Sequence, residues 1–226
     1  FDVHDRAGAA QASAEFGRYI DELITVRRQE PRADFIGMLI ESEVEGHRLT
    51  DQELHSFCTV LFGAGFETTA DAMSVMLYYL AEHPAEYQQL AAQPQLISSA
   101  VEEFLRYISP IQIFGRNAMR EVELHGQTIQ PMDVVALSFG SANHDPRVFP
   151  DPERCAPDRT PNPHLAFGAG IHLCLGAPVA RLEMQVTLEE FTRRIPGFHL
   201  VPQAAVAWKT RGDRRGLAAV PAVLTS

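Results

Sequence analysis

The sequence predicts a mainly α-helical protein with small β-sheets. Apolar residues recur at three- and four-residue spacing through much of the first 108 residues and again near residues 175–194. From Ile111 onward, short alternating or β-branched segments stand between turn residues, as expected for small sheets. With 46% hydrophobic residues among 226, the chain has ample material for a packed core.

The first predicted helix places five apolar residues on one face, namely Phe16, Tyr19, Ile20, Leu23 and Ile24. A shorter apolar patch at residues 35–40 follows the break at Pro31. A long helix is then expected from about 50 to 83. Thr50 and Glu53 form a capping box at its start, and no strong breaker appears before Pro84. Such a helix would be roughly 50 Å long at ~1.5 Å per residue.

A short helix after Pro84 and another at residues 97–108 follow, and Pro110 ends the second one. The segments VELHGQTI and VVAL predict short strands, as do HLVPQAAVAW and GLAAVPAVL in the tail. The stretch HDPRVFPDPERCAPDRTPNP is proline-rich and polar. A loop of this length is usually functional or specially packed. A last long helix is expected from about Leu175 to Arg194.

Composition excludes some partners and suggests a compartment. The net charge is -10, with 29 acidic against 19 basic residues, which argues against a general nucleic-acid or anionic-membrane surface. We see no apolar run that could span a bilayer and no signal peptide. The three cysteines, Cys58, Cys155 and Cys174, make a poor disulfide framework. These features predict a cytoplasmic protein that binds neither nucleic acid nor membrane.

Cys174 lies in the glycine-rich stretch HLAFGAGIHLCLGAPVARLE. By itself it could be a small buried hydrophobe, half of a zinc site with His172, or a catalytic thiol with an unspecified histidine base. Gly168 and Gly170 allow the loop to fold tightly around a sulfur, and the following helix start favours an anion. The flanks therefore favour a permanent thiolate. With a single thiolate donor, a haem iron fits better than zinc.

The segment FGAGIHLCLG, Phe167–Gly176, resembles the haem-binding loop of the cytochrome P450 family, the haem-thiolate monooxygenases, and is most similar to the bacterial soluble branch. The resemblance implies haem b (iron protoporphyrin IX) as cofactor, with Cys174 as the proximal iron ligand in a loop at 167–176. It also implies that residues 1–226 are the C-terminal part of a single cytochrome P450 domain whose N-terminal part is absent.

A second motif, AGFETT, lies inside the predicted long helix. Glycine costs about 1 kcal/mol relative to alanine in a helix, so Gly63 and Gly65 indicate close helix packing or a groove for a ligand. The segment resembles the family's distal oxygen-activation motif. That likeness implies that Thr68 and Glu67 relay protons and that Ala64 and Gly65 contact the cofactor.

Glu103 and Arg106 share a helix face at i and i+3, and alone such a pair is an ordinary surface ion pair. By resemblance the pair is buried and binds Arg159, so that these three residues support the haem loop. The resemblance also assigns His172 and Arg116 to the haem propionates, and a solvated strand arginine is the alternative for Arg116. Phe167 should pack beside the sulfur, and Gly168 and Gly170 should contact the cofactor.

The implied reaction inserts one oxygen atom from O2 into an apolar organic substrate. Electrons would come from NAD(P)H through ferredoxin reductase and ferredoxin. By family position, the substrate side would be lined by Phe62, Gly63, Phe66 and residues 109–114. A peroxide-driven haem-thiolate oxygenase and an isomerase-like member remain alternatives. Three residues depart from the family's habits: Phe66, Cys155, and Met132 at a turn position that is often glycine.

The resemblance covers nearly the whole chain but only a little over half of a typical family member, and the chain starts at Phe1. We therefore expect the 226 residues to expose apolar surface that a missing half would cover. A truncated, catalytically incompetent haem-binding fragment is the corresponding alternative, and the chain alone is expected to bind haem weakly or not at all.

Overall fold

The structure is a computed structural model that describes residues 6–209 and 212–225. It is mainly α-helical with small two-stranded sheets, which confirms the predicted fold class. The chain divides into two compact units, residues 1–66 and 67–226.

The first unit contains two helices, one hairpin and the start of a third helix. Its elements are α1 (Arg6–Gln29), α2 (Phe35–Glu41), β1 (Glu43–Val44), β2 (His47–Arg48) and the first part of α3 (Asp51–Glu82). The 32 residues of α3 give a length of about 48 Å at ~1.5 Å per residue, in agreement with the predicted helix.

The capping box at the start of α3 is present. The Glu53 amide donates to Thr50 Oγ1 at 3.2 Å, and the Thr50 amide donates to Glu53 Oε2 at 2.8 Å. Each side chain thus satisfies a backbone donor of the other residue, and this defines where the helix begins.

The core of the first unit is built on α1 and α3, through Ile20, Ile24, Leu54 and Cys58. Tyr19 was predicted on the same face as Ile20, but 57% of it is exposed. At 100° per residue, a side chain one position before Ile20 lies at the edge of the apolar stripe. The tyrosine ring can bury its flank there and leave the hydroxyl in water.

The second unit holds the rest of α3 and the remaining elements. Its helices are α4 (Pro84–Ala92), α5 (Ile97–Ile108), α6 (Phe139–Ala142) and α7 (Ala177–Arg194), with short 3₁₀ turns at Pro94–Leu96 and Gly170–His172. Its strands are β3 (Ile113–Asn117), β4 (Val122–Leu124), β5 (Gln127–Ile129), β6 (Val134–Ser138), β7 (Gly197–Leu200), β8 (Ala207–Trp208), β9 (Leu217–Ala219) and β10 (Ala222–Thr225).

Four helices supply the core of this unit. Side chains with 2% exposure or less come from α3, α4, α5 and α7, among them Met76, Leu80, Tyr87, Leu90, Phe104, Met184 and Leu188. Their burial fixes α5 against α7, and these two helices carry charged residues that contact the segment leading into the cysteine loop.

The strands form antiparallel pairs, β3 with β6, β4 with β5, β7 with β10 and β8 with β9. The predicted segments VELHGQTI and VVAL fall on β4–β5 and β6. Residues 143–169, by contrast, contain no helix or strand, so this loop must be held by side chains. Within the described residues, no helix has both the length and the apolarity that a membrane span needs.

Candidate functional site

The cysteine loop connects the long irregular segment to α7. Gly168 and Gly170 have φ of +70° and +67°, the left-handed region that glycine adopts without steric cost. The Cys174 amide donates to Phe167 O at 3.0 Å, which closes the loop on itself. Cys174 thereby lies three residues before Ala177, the first residue of α7, where the helix macrodipole favours a negative charge.

The thiol of Cys174 is exposed, whereas Cys58 and Cys155 are buried. Burial raises the pKa of Cys155 to about 12, so that thiol stays protonated. Because Cys174 is exposed, the possibility that it is a buried structural hydrophobe is wrong. Among the described residues, no three His, Cys, Asp or Glu side chains gather as metal ligands, so the zinc hypothesis with His172 finds no further donors.

The two predicted propionate residues occupy different elements. Arg116 lies in β3 and is half-buried, with its guanidinium 5.2 Å from the centroid of the Phe114 ring. Its Nη1 donates to Gly115 O at 2.9 Å. His172 is the last residue of the 3₁₀ turn and is exposed. Both side chains carry or can carry donors suited to a carboxylate.

The AGFETT motif lies in α3. Apart from the neighbouring residues and backbone of α3 itself, a Cβ built on Gly63 or Gly65 would meet no atom of the described residues within 4 Å. Close packing against another described part of the chain therefore does not explain these glycines, and the groove for a ligand stays a prediction. Ala64 and Gly65 fall in the first unit and are exposed, while Glu67 and Thr68 fall in the second and are half-buried.

Glu67 has a partner that the sequence did not reveal. Arg214 Nη1 donates to Glu67 Oε2 at 3.1 Å, and Arg214 Nε donates to Asp213 at 3.3 Å. One turn further along α3, buried Asp71 accepts a hydrogen bond from Lys209 Nζ at 2.5 Å. The only sequence signal was a basic cluster in the tail, whose partners lie about 140 residues away.

Glu103, Arg106 and Arg159 meet in a buried cluster. The Glu103 carboxylate accepts two hydrogen bonds from Arg106 at 2.8 Å each, and Arg159 Nε lies 3.0 Å from Glu103 Oε1. Both Glu103 and Arg106 are 0% exposed. Burial raises the pKa of Glu103, but these hydrogen bonds outweigh burial and hold the pKa below its ordinary value.

The arginines of this cluster hold the irregular loop by its carbonyl groups. Arg106 donates to the carbonyl oxygens of Asn143, Pro152 and Arg154 at 2.8–3.0 Å. Arg159 Nη1 donates to Pro150 O at 2.8 Å. A segment without helix or strand thus has its backbone acceptors satisfied by guanidinium groups.

Asn143 is a second residue that sequence reasoning missed. It is 0% exposed, and its Oδ1 accepts a hydrogen bond from the Leu165 amide at 2.7 Å. Its Nδ2 donates to Ser109 Oγ at 2.8 Å, at the end of α5. The Asn143 side chain therefore joins α5 to the segment that enters the cysteine loop. The sequence does not indicate this connection, because a single asparagine in a polar loop is common.

Glu102 and Arg181 form a third connection. Arg181 Nε donates to Glu102 Oε1 at 2.7 Å, and the Arg181 guanidinium lies over the Phe167 ring, 4.6 Å from its centroid. His164 Nε2 lies 3.0 Å from Glu102 Oε2. Phe167 is thereby held from α5 and α7, beside the cysteine to which its carbonyl is hydrogen-bonded.

Comparison with known proteins identifies the family. The family model for cytochrome P450 matches residues 3–203. The polyketide biosynthesis cytochrome P450 PksS of Bacillus subtilis (strain 168) is 39% identical over 217 residues, covering 95% of this chain and 54% of that protein. Mycinamicin IV hydroxylase/epoxidase of Micromonospora griseorubida is also 39% identical, covering 94% of this chain and 54% of that protein.

Solved structures agree. The Bacillus subtilis 168 cytochrome P450 PksS superposes with a TM-score of 0.94 at 37% identity, over 100% of this chain and 58% of that one. CYP109E1 from Bacillus megaterium in complex with corticosterone gives a TM-score of 0.88 at 36% identity, over 93% of this chain and 57% of that one. The chain spans about half the length of the curated relatives it matches. With the cysteine loop, the long helix and the buried Glu–Arg–Arg cluster in one chain, it belongs to the cytochrome P450 family.

Proposed function

We propose that the protein containing this chain is a haem-thiolate monooxygenase that inserts one oxygen atom from O2 into an organic substrate. The observation that supports this best is Cys174, an exposed thiol in a loop with two left-handed glycines at the start of α7. We treat residues 1–226 as the C-terminal part of a single P450 domain, in keeping with their coverage of the relatives.

The residues present fit haem b, the cofactor of the family. A haem iron needs one protein thiolate, and Cys174 is exposed while the other two cysteines are buried. Its neighbours Leu173 and Leu175 are 60% and 70% exposed, which supplies apolar surface beside the sulfur for a flat hydrophobic group. When bound, haem b would supply an iron that activates O2, and the Cys174 thiolate that holds it would favour O–O cleavage.

Each candidate site residue of this chain then has a specific role. Cys174 provides the thiolate, and Phe167 packs beside the sulfur. Gly168 and Gly170 allow the backbone to approach the macrocycle closely, because neither carries a Cβ. The remaining contacts would come from cations and small residues, namely His172 and Arg116 at the propionates and Ala64 and Gly65 at the macrocycle. Glu103, Arg106 and Arg159 hold the loop that precedes the cysteine.

Thr68 and Glu67 would handle the protons that the reaction consumes. A hydroxyl both donates and accepts, so Thr68 can pass a proton from water toward the reacting oxygen. Glu67 is the nearest acid in sequence, and its Oε2 accepts a hydrogen bond from Arg214 Nη1 at 3.1 Å. Thus Arg214 joins the proposed relay as the charge partner of Glu67.

The substrate is proposed to be an apolar small molecule. Phe62 and Phe66 lie on α3 with 56% and 69% of their surface exposed, and aromatic surface of this kind suits an apolar ligand. A relative of 35% identity is named steroid C26-monooxygenase of Mycolicibacterium smegmatis, and steroids are of this class. Electrons are proposed to come from NAD(P)H through a ferredoxin reductase and a ferredoxin.

The first test is the carbon-monoxide difference spectrum of the reduced, haem-loaded protein, made from the complete gene that encodes this chain. Wild type is expected to show the thiolate-ligated absorption band. Cys174→Ser should abolish that band, because a serine hydroxyl stays protonated and cannot replace a thiolate. Cys58→Ser is the matched control and should retain it. If Cys174→Ser retains the band as Cys58→Ser does, the assignment of Cys174 is contradicted.

The second test concerns the proton relay and the electron source. Thr68→Ala should lower the product formed per NAD(P)H consumed by about tenfold or more, with hydrogen peroxide released instead, since proton transfer contributes factors of about 10²–10⁴. Thr69→Ala, the neighbouring threonine, is the control. Turnover with peroxide alone, and none with a ferredoxin system, would favour the peroxide-driven alternative.

A further inference from the structure

Glu102 directly precedes Glu103 on α5, and nothing in the sequence distinguished it. Its carboxylate accepts two hydrogen bonds from Arg181, Nε to Oε1 at 2.7 Å and Nη2 to Oε2 at 2.9 Å. The same Oε2 lies 3.0 Å from His164 Nε2, and His164 Nδ1 accepts from the Ala166 amide at 3.2 Å. Glu102 thus connects α7 with the residues that lead into the cysteine loop.

Arg181 contacts both this carboxylate and Phe167. Its guanidinium covers the Phe167 ring at 4.6 Å from the centroid, and the carbonyl of Phe167 accepts the Cys174 amide at 3.0 Å. The guanidinium therefore contacts the ring of the residue whose carbonyl is hydrogen-bonded to Cys174, and this places its positive charge near the cysteine.

We propose that Arg181 is a positioning residue that limits how strongly the Cys174 thiolate donates to the haem iron, and that Glu102 sets how much of the Arg181 charge the sulfur experiences. The inference rests on the proposed function, since it requires Cys174 as the iron ligand. A nearby cation stabilises negative charge on the sulfur and so weakens donation. The planar guanidinium also fixes the Phe167 ring by stacking, which a lysine ammonium does not reproduce.

The two charges lead to opposite expectations. Arg181→Gln removes the cation, so the sulfur donates more strongly and the reduction potential of the iron falls. Glu102→Gln keeps a hydrogen-bond acceptor but leaves the Arg181 charge without its neutralising partner, so the potential rises. Side-chain exposures of 37% for Arg181 and 29% for Glu102 mean that solvent screens part of each effect. A connection that was only structural would shift both variants in the same direction, since both lose the same ion pair.

The experiment is a potentiometric titration of the haem-loaded protein from the complete gene, with the carbon-monoxide band recorded for every variant. Arg193→Gln is the matched control, because Arg193 lies on the same helix, is 61% exposed and pairs with Glu190 at the surface. Its potential should equal that of wild type. Arg181→Lys keeps the charge and should shift the potential less than Arg181→Gln does.

The inference is supported if Arg181→Gln lowers the potential, Glu102→Gln raises it and Arg193→Gln leaves it unchanged. It is overturned if Arg181→Gln and Glu102→Gln shift in the same direction, or if neither shifts while the thiolate band is intact. If Arg181→Gln does not retain haem, the potentials of Arg181→Lys and Glu102→Gln are compared with that of wild type instead. An unchanged potential in Glu102→Gln then overturns the inference. A wild type without the thiolate band would instead refute the proposed function itself, and this inference with it.

Discussion

At the scale of single residues, the site depends on charges that are buried together. Glu103 is 0% exposed and accepts hydrogen bonds from Arg106, Arg159, the Ala156 amide and Asn162 Nδ2. The i and i+3 spacing of Glu103 and Arg106 was visible in the sequence, but their burial was only implied by the family resemblance. Spacing alone cannot distinguish this pair from Glu190 and Arg193, which have the same spacing and lie at the surface.

Replacing Glu103 with Gln should destabilise the protein by about 3–5 kcal/mol. The substitution leaves the Arg106 charge buried and uncompensated, and this loss is far larger than that of a surface pair. Urea unfolding gives the free energy, and Glu190→Gln serves as the control with no measurable change. Equal stability of the Glu103 and Glu190 variants would show that the cluster contributes nothing as an ion pair.

Met132 supplies a second prediction at this scale. Its φ is +72°, and the Asp133 amide donates to Gln130 O at 3.1 Å, so it occupies a turn position that favours glycine. Met132→Gly should raise the free energy of unfolding by about 0.5–1 kcal/mol, because it removes the left-handed strain. Met119→Gly is the control: Met119 is also exposed but lacks a positive φ, so this change should not stabilise the protein. A less stable Met132→Gly variant would contradict the argument.

At the scale of elements, the sequence predicted where helices and strands lie because their signals are local. The capping box of Thr50 and Glu53 predicted the start of α3 to within one residue. Pro84 and Pro110 predicted the ends of α3 and α5, each of which stops two residues before its proline. The predicted start of the last helix, Leu175, was two residues early, since α7 begins at Ala177. The pairing of α5 with α7 through Glu102 and Arg181 had no local signal.

The connection of α5 to α7 should weaken in acid. Burial raises the pKa of Glu102, but hydrogen bonds from His164 and Arg181 outweigh it and hold the pKa at about 2, against 4.5 ordinarily. A carboxyl with a lowered pKa stabilises the fold fully above its unfolded pKa, and the contribution is lost as pH falls from 4.5 toward 2. The loss should be on the order of 2 kcal/mol after allowance for partial exposure.

The measurement is the stability difference between wild type and Glu102→Gln, followed by urea unfolding over this pH range. The difference isolates Glu102 from the other carboxyl groups that titrate in acid. A difference that stays constant from neutral pH to pH 2 would mean that the carboxylate is not stabilised by its partners.

At the scale of the whole molecule, the described residues leave large apolar side chains in water. Beside the cysteine, Ile171 is 98% exposed, and Leu173 and Leu175 are 60% and 70% exposed. On α3, Phe62 and Phe66 are exposed as well. Soluble proteins seldom leave so much apolar surface without a ligand or partner. The chain also spans only about half of the relatives it matches.

We therefore predict that the 226-residue chain, expressed alone, binds haem weakly or not at all. Weak binding is expected because the apolar side chains beside Cys174 stay exposed when no further chain covers them or a bound macrocycle. Haem retention on a desalting column, followed by the carbon-monoxide spectrum, measures this, and the product of the complete gene is the control. Tight retention with a normal thiolate band would refute the prediction.

The sequence by itself determined the element order, the cysteine loop, the capping box and the motif on α3, since each of these is a pattern within about ten neighbouring residues. Only the tertiary structure decided the partners of the charged residues. Glu102 meets Arg181 across 79 positions and Glu67 meets Arg214 across 147, and Asn143 joins α5 to the cysteine loop. A hydrogen bond requires two groups within about 3 Å of each other, and this proximity arises only when the helices pack, so a linear pattern cannot encode it.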